Sequence, residues 1–370
     1  MNKKTITIIV IIVILGGIFW WSNAKKQDIP DTSAGEKIKI GVLALLSGEG
    51  AAWGESAKRG IDMAVEEYKN INPDAIVEVI YEDTGGDTKK AVAGLQKFIS
   101  LDNVDAVIGP LLQTEVAAVA PIIAEKNIPV VTPSYAPAPN RPNLKNPLSL
   151  WLDGTVESER MAAYVATQGI KTIGVIGTKD GWESEVSNAF AKKVQELGIS
   201  VVGLEIVQPD VADMRLSVTK IISQKPDAIF IGTGFQFINS VTALSQLQYK
   251  GKLYSIEVDS YFAEQTADKI DSMQFIAPDF YSSDFMKKFE QKYSVRPGIP
   301  AGQAYDSANL LLSVLEKSDN PQEAIESFSK MTSYQGVSGN IQFMPDGKTF
   351  LPTALFDLKK GEISRVVELK

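Results

Sequence analysis

The feature that most limits the fold of this chain is a regular exchange of apolar strand-like runs with helical segments, begun twice in the same order. Ile38–Leu45 is a β-rich apolar run, and Ser56–Tyr68 follows it with Ile61, Ala64, Val65 and Tyr68 on one helical face. Ile76–Tyr81 reads as a strand, and Asp87 is placed to cap a helix running to about Ile99. A strand at Val104–Ile108, a helix at about Glu115–Lys126 and a strand at Ile128–Val131 continue the series. Alternation of this kind predicts an α/β chain with parallel sheets and helices on both faces. The series then restarts. Ile170–Ile176 echoes Ile38–Val42, a helix follows at about Ser184–Leu197 and a strand at Ile199–Val207, and Pro226–Gly232 echoes Val104–Gly109. Two lobes of related architecture account for the repeated order.

Length agrees, since 370 residues exceed what one core usually holds. The net charge of −8 argues against a general nucleic-acid binder, which needs a basic footprint. The chain has no Cys and no His. Disulfides, thiol nucleophiles and zinc–thiolate sites are therefore excluded. The commonest general base and transition-metal ligand are missing too. Carboxylate or lysine chemistry stays open, but no nucleophile–base pair stands at motif spacing, and the chain is expected not to be an enzyme. Gly48, Gly50 and Gly54 invite a dinucleotide reading. Their spacing is not the stricter one, and Glu82 and Asp83 lie more than thirty residues beyond Gly48, where about twenty is usual. No cofactor is expected.

At the N-terminus Lys3 and Lys4 precede an apolar run from Ile6 to Trp21, then Ser22, Asn23, Ala24 and two further lysines. This reads as a secretory signal cleaved after Ala24. The alternative is a retained anchor with Trp20 and Trp21 at the interface; its span of ~24 Å falls short of a ~30 Å hydrocarbon core. Both readings put the bulk of the chain outside the cytoplasm, in the periplasm or at the cell surface, with contact to a membrane only through residues 1–24. Residues 25–36 read as a linker. The five prolines between Pro133 and Pro147 read as a rigid surface loop near the passage into the second lobe.

Motifs spread along residues 37–368 then converge. They are Ile38–Val42 with Leu46–Gly48, Trp53 and Gly54; Tyr81–Thr84 with Asp87 and Ala91; Val107–Pro110; Ile128–Pro133; Ala304–Asp306; and Gly339–Phe343 followed by Asp346 and Gly347. In this order they resemble the type I periplasmic binding proteins of the branched-chain amino acid class, which serve ABC importers. The resemblance implies two Rossmann-like lobes joined by a three-crossover hinge, with crossings near 152–155, 276–281 and 336–342. The lobes would be 37–153 plus 281–337, and 154–280 plus 338–370. A solute would lie between them, outside the carboxyl ends of the strands. It also implies a set of ligand-binding residues. Trp53, in the first strand–helix loop, would pack on the solute. Gln113 stands where amino-acid binders carry a serine, with the hydroxyl offset to Thr114, and backbone amides there would still receive a carboxylate. Ser134, Tyr135 and Ala136 occupy the loop that usually supplies a hydroxyl; Tyr135 is a bulky departure and Ala136 lacks the hydroxyl. Trp182 would face Trp53 from the second lobe, and Phe235 would add an aromatic contact. Glu257, or Asp259 two residues on, would receive an ammonium group. Asp306 is expected to be structural, at a helix start.

The resemblance implies the solute receptor of an ABC importer, a monomer that binds an amino acid or a similar small molecule and works with a permease. A sensory ectodomain acting with a separate signalling partner is the rival reading, since it uses the same fold.

Overall fold

The computed structural model describes residues 37–48, 50–136, 145–278, 282–345 and 348–369. The N-terminal signal or anchor, the linker and most of the proline-rich loop lie outside them. Among the described residues no helix is long and apolar enough to cross a membrane.

The first series is β1 (Lys37–Ala44), α1 (Ala51–Ile71), β2 (Ile76–Asp83), α2 (Thr88–Lys97), β3 (Ala106–Ile108), α3 (Gln113–Lys126), β4 (Val130–Thr132) and β5 (Leu148–Ser149). Its strands form one parallel sheet in the order β2-β1-β3-β4-β5. Successive side chains on a strand point to opposite faces. Accordingly Val42 enters the core beneath α1, while its neighbour Leu43 enters the core with Ala91, Leu95 and Phe98 of the α2 side. Asp87 caps α2 as expected, its Oδ1 accepting from Lys89 N at 2.7 Å.

The second series is α4 (Gly154–Ala166), β6 (Thr172–Thr178), α5 (Gly181–Glu196), β7 (Ser200–Val207), α6 (Arg215–Ile222), β8 (Ala228–Gly232), α7 (Phe237–Gln246), β9 (Lys252–Ile256), α8 (Ser260–Thr266) and β10 (Ser272–Pro278). On β8, Ala228 and Phe230 face the core of α4 and α5, and Ile229 and Ile231 face the core of α7 and α8. The chain then returns to the first core through α9 (Ser283–Tyr293), α10 (Ala301–Leu315) and α11 (Pro321–Lys330). Helix α10 lies against α1 so closely that a Cβ at Gly60 would come within 2.1 Å of the Ala301 carbonyl oxygen. A side chain there would separate the two helices.

A small antiparallel sheet of β11 (Ser333–Gly336), β12 (Gly339–Phe343) and β13 (Thr349–Phe350) follows. Ile341 and Phe343 of β12 are buried in the first core. The chain therefore enters the second sheet at β14 (Thr353–Lys359) and β15 (Glu362–Leu369), and not near 336–342. These two strands pair antiparallel with β10 and each other, completing a seven-stranded sheet in the order β15-β14-β10-β9-β8-β6-β7. The misplacement has a physical origin: the short polar–apolar alternation of Gly-Asn-Ile-Gln-Phe at 339–343 looks alike in a small sheet and a large one.

Helices α1, α3 and α5 begin earlier than their apolar periodicity suggests, at Ala51, Gln113 and Gly181. Trp53 is consequently in the first turn of a helix and not in a loop. Asp306 is structural, but for a reason other than the helix dipole. It lies in the second turn of α10, where its Oδ1 and Oδ2 accept from Val337 N at 2.8 Å and Ser338 N at 2.9 Å, pinning the turn between β11 and β12. Asp306→Ala strands two N–H groups, one of them on a buried residue. It is expected to cost roughly 2–3 kcal/mol, read as a lower urea midpoint with an unchanged slope.

Candidate functional site

The carboxyl ends of the strands of both sheets face one cleft. From the first sheet come Leu45 after β1, Leu111 to Gln113 after β3, Ser134 and Tyr135 after β4, and Trp151 after β5. From the second come Asp180, Trp182 and Glu183 after β6, Thr233 to Phe235 after β8, and Glu257 after β9. The empty space between them is about 910 Å3, its open mouth included. That is within the range of small-molecule clefts, and its position outside the strand ends is where open α/β sheets bind ligands.

The cleft is closed around an aromatic contact. The Trp53 ring, carried by α1 of the first lobe, packs into the second lobe's core. Its centroid is 5.3 Å from Phe235 and 6.0 Å from Phe262, both edge-on. Edge-to-face pairs of this kind add about 0.5–1.5 kcal/mol to area burial. Glycine at 234 eases the contact: a Cβ there would stand 3.1 Å from the Trp53 ring, which would have to give by a few tenths of an ångström. Trp182 forms another wall, seated so tightly on α4 that a Cβ at Gly154 would meet its Nε1 at 2.4 Å. That Nε1 is buried without a hydrogen-bond partner among the described residues.

Polar groups are distributed unevenly. Gln113 reaches across the cleft, its Nε2 donating to Glu185 Oε2 at 3.3 Å, while its Oε1 is buried with no partner among the described residues. Glu183 is almost fully buried, yet its oxygens accept from Thr233 Oγ1 at 2.7 Å, Gly234 N at 2.8 Å and Phe235 N at 3.1 Å. It therefore shapes the turn that presents Phe235. Burial raises its pKa against those hydrogen bonds, and burial likewise raises Asp180. Glu257 has a left-handed backbone, φ 51°, and its Oε1 accepts from Trp151 Nε1 at 2.8 Å. A left-handed non-glycine residue costs of order 1 kcal/mol, and strain of this kind gathers at functional positions. Burial pushes the Glu257 carboxyl upward, opposed by hydrogen bonds from Glu157 and Trp151. Asp180, Glu183 and Glu257 line the cleft, and no Lys or Arg does so among the described residues.

Seven residues singled out from sequence come together on the cleft wall: Trp53, Gln113, Ser134, Tyr135, Trp182, Phe235 and Glu257. Three do not line it. Thr114 sits on the closure seam, its methyl 3.5 Å from where a Cβ of Gly181 would be. Ala136 is buried behind the wall. Asp259 caps α8, its Oδ1 accepting from Phe262 N at 2.9 Å, and also receives the backbone N–H of Ile299. A carboxylate committed to capping cannot also turn into the cleft. Sequence reading missed Trp151, Asp180 and Glu183. Asp180 and Glu183 flank Trp182 directly after a strand, a signal that was available; nothing local marks Trp151.

Buried carboxyls around the cleft make stability depend on pH. Asp259 is pushed up to about 6 and Glu115, in the first turn of α3, to about 7, each chiefly by burial. A folded value above the unfolded one gives stability that is complete below pH ~4 and lost as pH rises through 6 to 7. The ligand-free melting temperature is expected to fall between pH 5 and pH 8. In Glu115→Gln that fall should shrink by roughly a few degrees, as calorimetry at both pH values would show.

Comparison with known proteins agrees with this geometry. The family described as periplasmic binding protein matches residues 37–362. The Leu/Ile/Val-binding protein BraC3 of Rhizobium johnstonii is 28% identical over 199 residues, 53% of this chain and 54% of that protein. The chain thus spans about half the length of the first curated relatives it matches. Among solved structures, the branched-chain amino acid transporter substrate-binding protein LivJ of Streptococcus pneumoniae, in complex with isoleucine, aligns with a TM-score of 0.79 at 22% identity, covering 90% of this chain and 100% of that one. A solute-binding protein of an R. palustris ABC transporter, in complex with benzoate, aligns with a TM-score of 0.81 at 18% identity, covering 90% and 96%. At these identities the structures speak for the fold. The chain belongs to the periplasmic binding protein family.

Proposed function

We propose that this protein is the extracytoplasmic solute receptor of an ABC importer, binding an amino-acid-like molecule between its lobes and delivering it, as a monomer, to a permease. The observation that carries this reading is the closed cleft at the strand ends, walled by Trp53, Trp182 and Phe235 and containing Glu257. Nothing in the reading requires chemistry on the solute. The lobes we assign are residues 37–152 with 282–350, and 153–278 with 353–369, which places the last crossing between β13 and β14.

The lining suggests the kind of solute. Aromatic walls suit an apolar or planar body. Glu257 suits an ammonium group, and a wall without Lys or Arg offers an anion no countercharge. Names of related proteins point both to branched-chain amino acids and to aromatic acids; the acidic wall favours a solute that carries an amine. A carboxylate on the same solute would rely on backbone N–H groups at the start of α3, where the hydroxyl expected of an amino-acid binder is replaced by Gln113.

Thermal melting against amino acids, amides, short peptides and aromatic acids tests the reading, because a ligand that binds only the folded state stabilises it. At least one amine-bearing solute should raise the melting temperature; a flat panel counts against the cleft. Benzylammonium, benzyl alcohol and benzoate share a ring and differ in charge. Their stabilisation should fall in that order, and benzoate ranking first would refute the amine assignment. Trp53→Ala and Trp182→Ala should each weaken the best solute by about tenfold or more, which is ~1.4 kcal/mol, while the protein stays folded. Titration calorimetry measures this, and unchanged affinity in both variants would displace the aromatic walls.

A further inference from the structure

We propose that Glu157 carries a proton at neutral pH and donates it to Glu257, so that the two form a buried acid–carboxylate pair in which Glu157 is the positioning residue for Glu257. The inference deepens the reading above and rests on it only for the ligand group that Glu257 meets.

Glu157 stands in the first turn of α4 and is completely buried. Neither of its carboxyl oxygens has an N–H or O–H donor among the described residues. Glu257 is the carboxyl within hydrogen-bond reach of it. Two ionised carboxylates are acceptors only and cannot bond each other. One proton between them turns a repulsive contact into a charge-assisted O–H···O hydrogen bond. Its location follows from the neighbours. Glu257 has a second donor, Trp151 Nε1 at 2.8 Å, and lines the cleft. Glu157 has neither, so the charge belongs on Glu257 and the proton on Glu157.

The charged groups around the pair do not reverse this. Arg160, one turn along α4, acts on Glu157 as a charge, but its guanidinium donates to Thr353 Oγ1 at 2.9 Å and lies 4.5 Å over the Phe350 ring. Asp153, at the cap of α4, accepts from Thr155 N and pairs with Lys348 at 3.0 Å. The α4 N-terminus favours negative charge, yet no first-turn N–H bonds to Glu157. Burial raises both carboxyls. With its proton retained the pair carries one negative charge, matched by one ligand cation. Donors from Trp151 and Glu157 occupy part of the Glu257 carboxylate and fix its orientation.

Carboxyl-carbon NMR of the full-length, ligand-free protein at pH 7.5 tests the proton directly. A glutamate signal at the carboxylic-acid position should be present in wild type and lost in Glu157→Gln. If no acid signal disappears in that variant, Glu157 is ionised and the proposal fails. Benzylammonium serves as the probe for positioning. Glu157→Gln, whose amide still donates, should bind it within about threefold of wild type, whereas Glu157→Leu should lose about tenfold or more. Equal binding by the leucine variant would remove the positioning role. Should the leucine variant not fold, the glutamine variant decides, since a tenfold loss there overturns the proposal. The NMR result needs no ligand: an acid signal that belongs to Glu157, in a protein that ignores benzylammonium, leaves the pair intact and refutes the amine-binding reading instead.

Discussion

The indole of Trp53 begins in one lobe and finds its packing in the other. Its neighbours Gly234, Phe235 and Phe262 belong to the second sheet's side of the cleft, so the half-buried ring has this packing only when the lobes meet. Covering part of an aromatic of this size is worth on the order of 2 kcal/mol at ~25 cal/mol per Å2 of apolar area. A two-state hinge separated by a few kcal/mol is shifted substantially by a contact of that size. The glycine at 234, the turn held by Glu183 and the α8 cap at Asp259 all serve to build the receptacle for this one ring.

Closure has an electrostatic counterpart. Bringing the strand ends together removes water from Asp180, Glu183, Glu257 and Asp259, and each carboxyl is raised by burial. Glu183 and Asp259 are compensated by backbone N–H groups and by hydroxyls. Glu257, which lines the cleft, has only an indole and a neighbouring carboxyl to compensate it among the described residues. The residue with most to gain from a positively charged visitor is therefore also the one the fold positions most deliberately, through a left-handed backbone and a fixed Trp151.

Sequence alone carried the fold far, because a parallel sheet demands crossover helices and the chain writes that alternation twice. It went astray where local pattern and long-range partner part company. β12 has the composition of any short strand, and its place in a small sheet against the first core depends on Asp306 pinning the preceding turn. In the site, Trp53, Trp182, Phe235 and Glu257 were legible because each follows a strand end at a position the family resemblance marks. Asp259 was misleading, since an acid just before a helix is as readily a cap as a ligand group. Trp151 and Glu157 were invisible for a different reason: their importance comes from meeting Glu257, about a hundred residues away in sequence, and no local signal encodes that meeting.

The route of the chain between its two large sheets has a mechanical meaning. It passes between them after β5, after β10 and before β14, so the two sheets are joined by three separate stretches of chain. Three tethers restrict sliding and twisting between the sheets more than a single one would. They also make the molecule tolerant of being cut. A protease that nicked the segment between β13 and β14 would free the final ribbon from the first lobe. The ribbon would stay zipped to β10 by its antiparallel ladder, and the other two tethers would still hold the halves together.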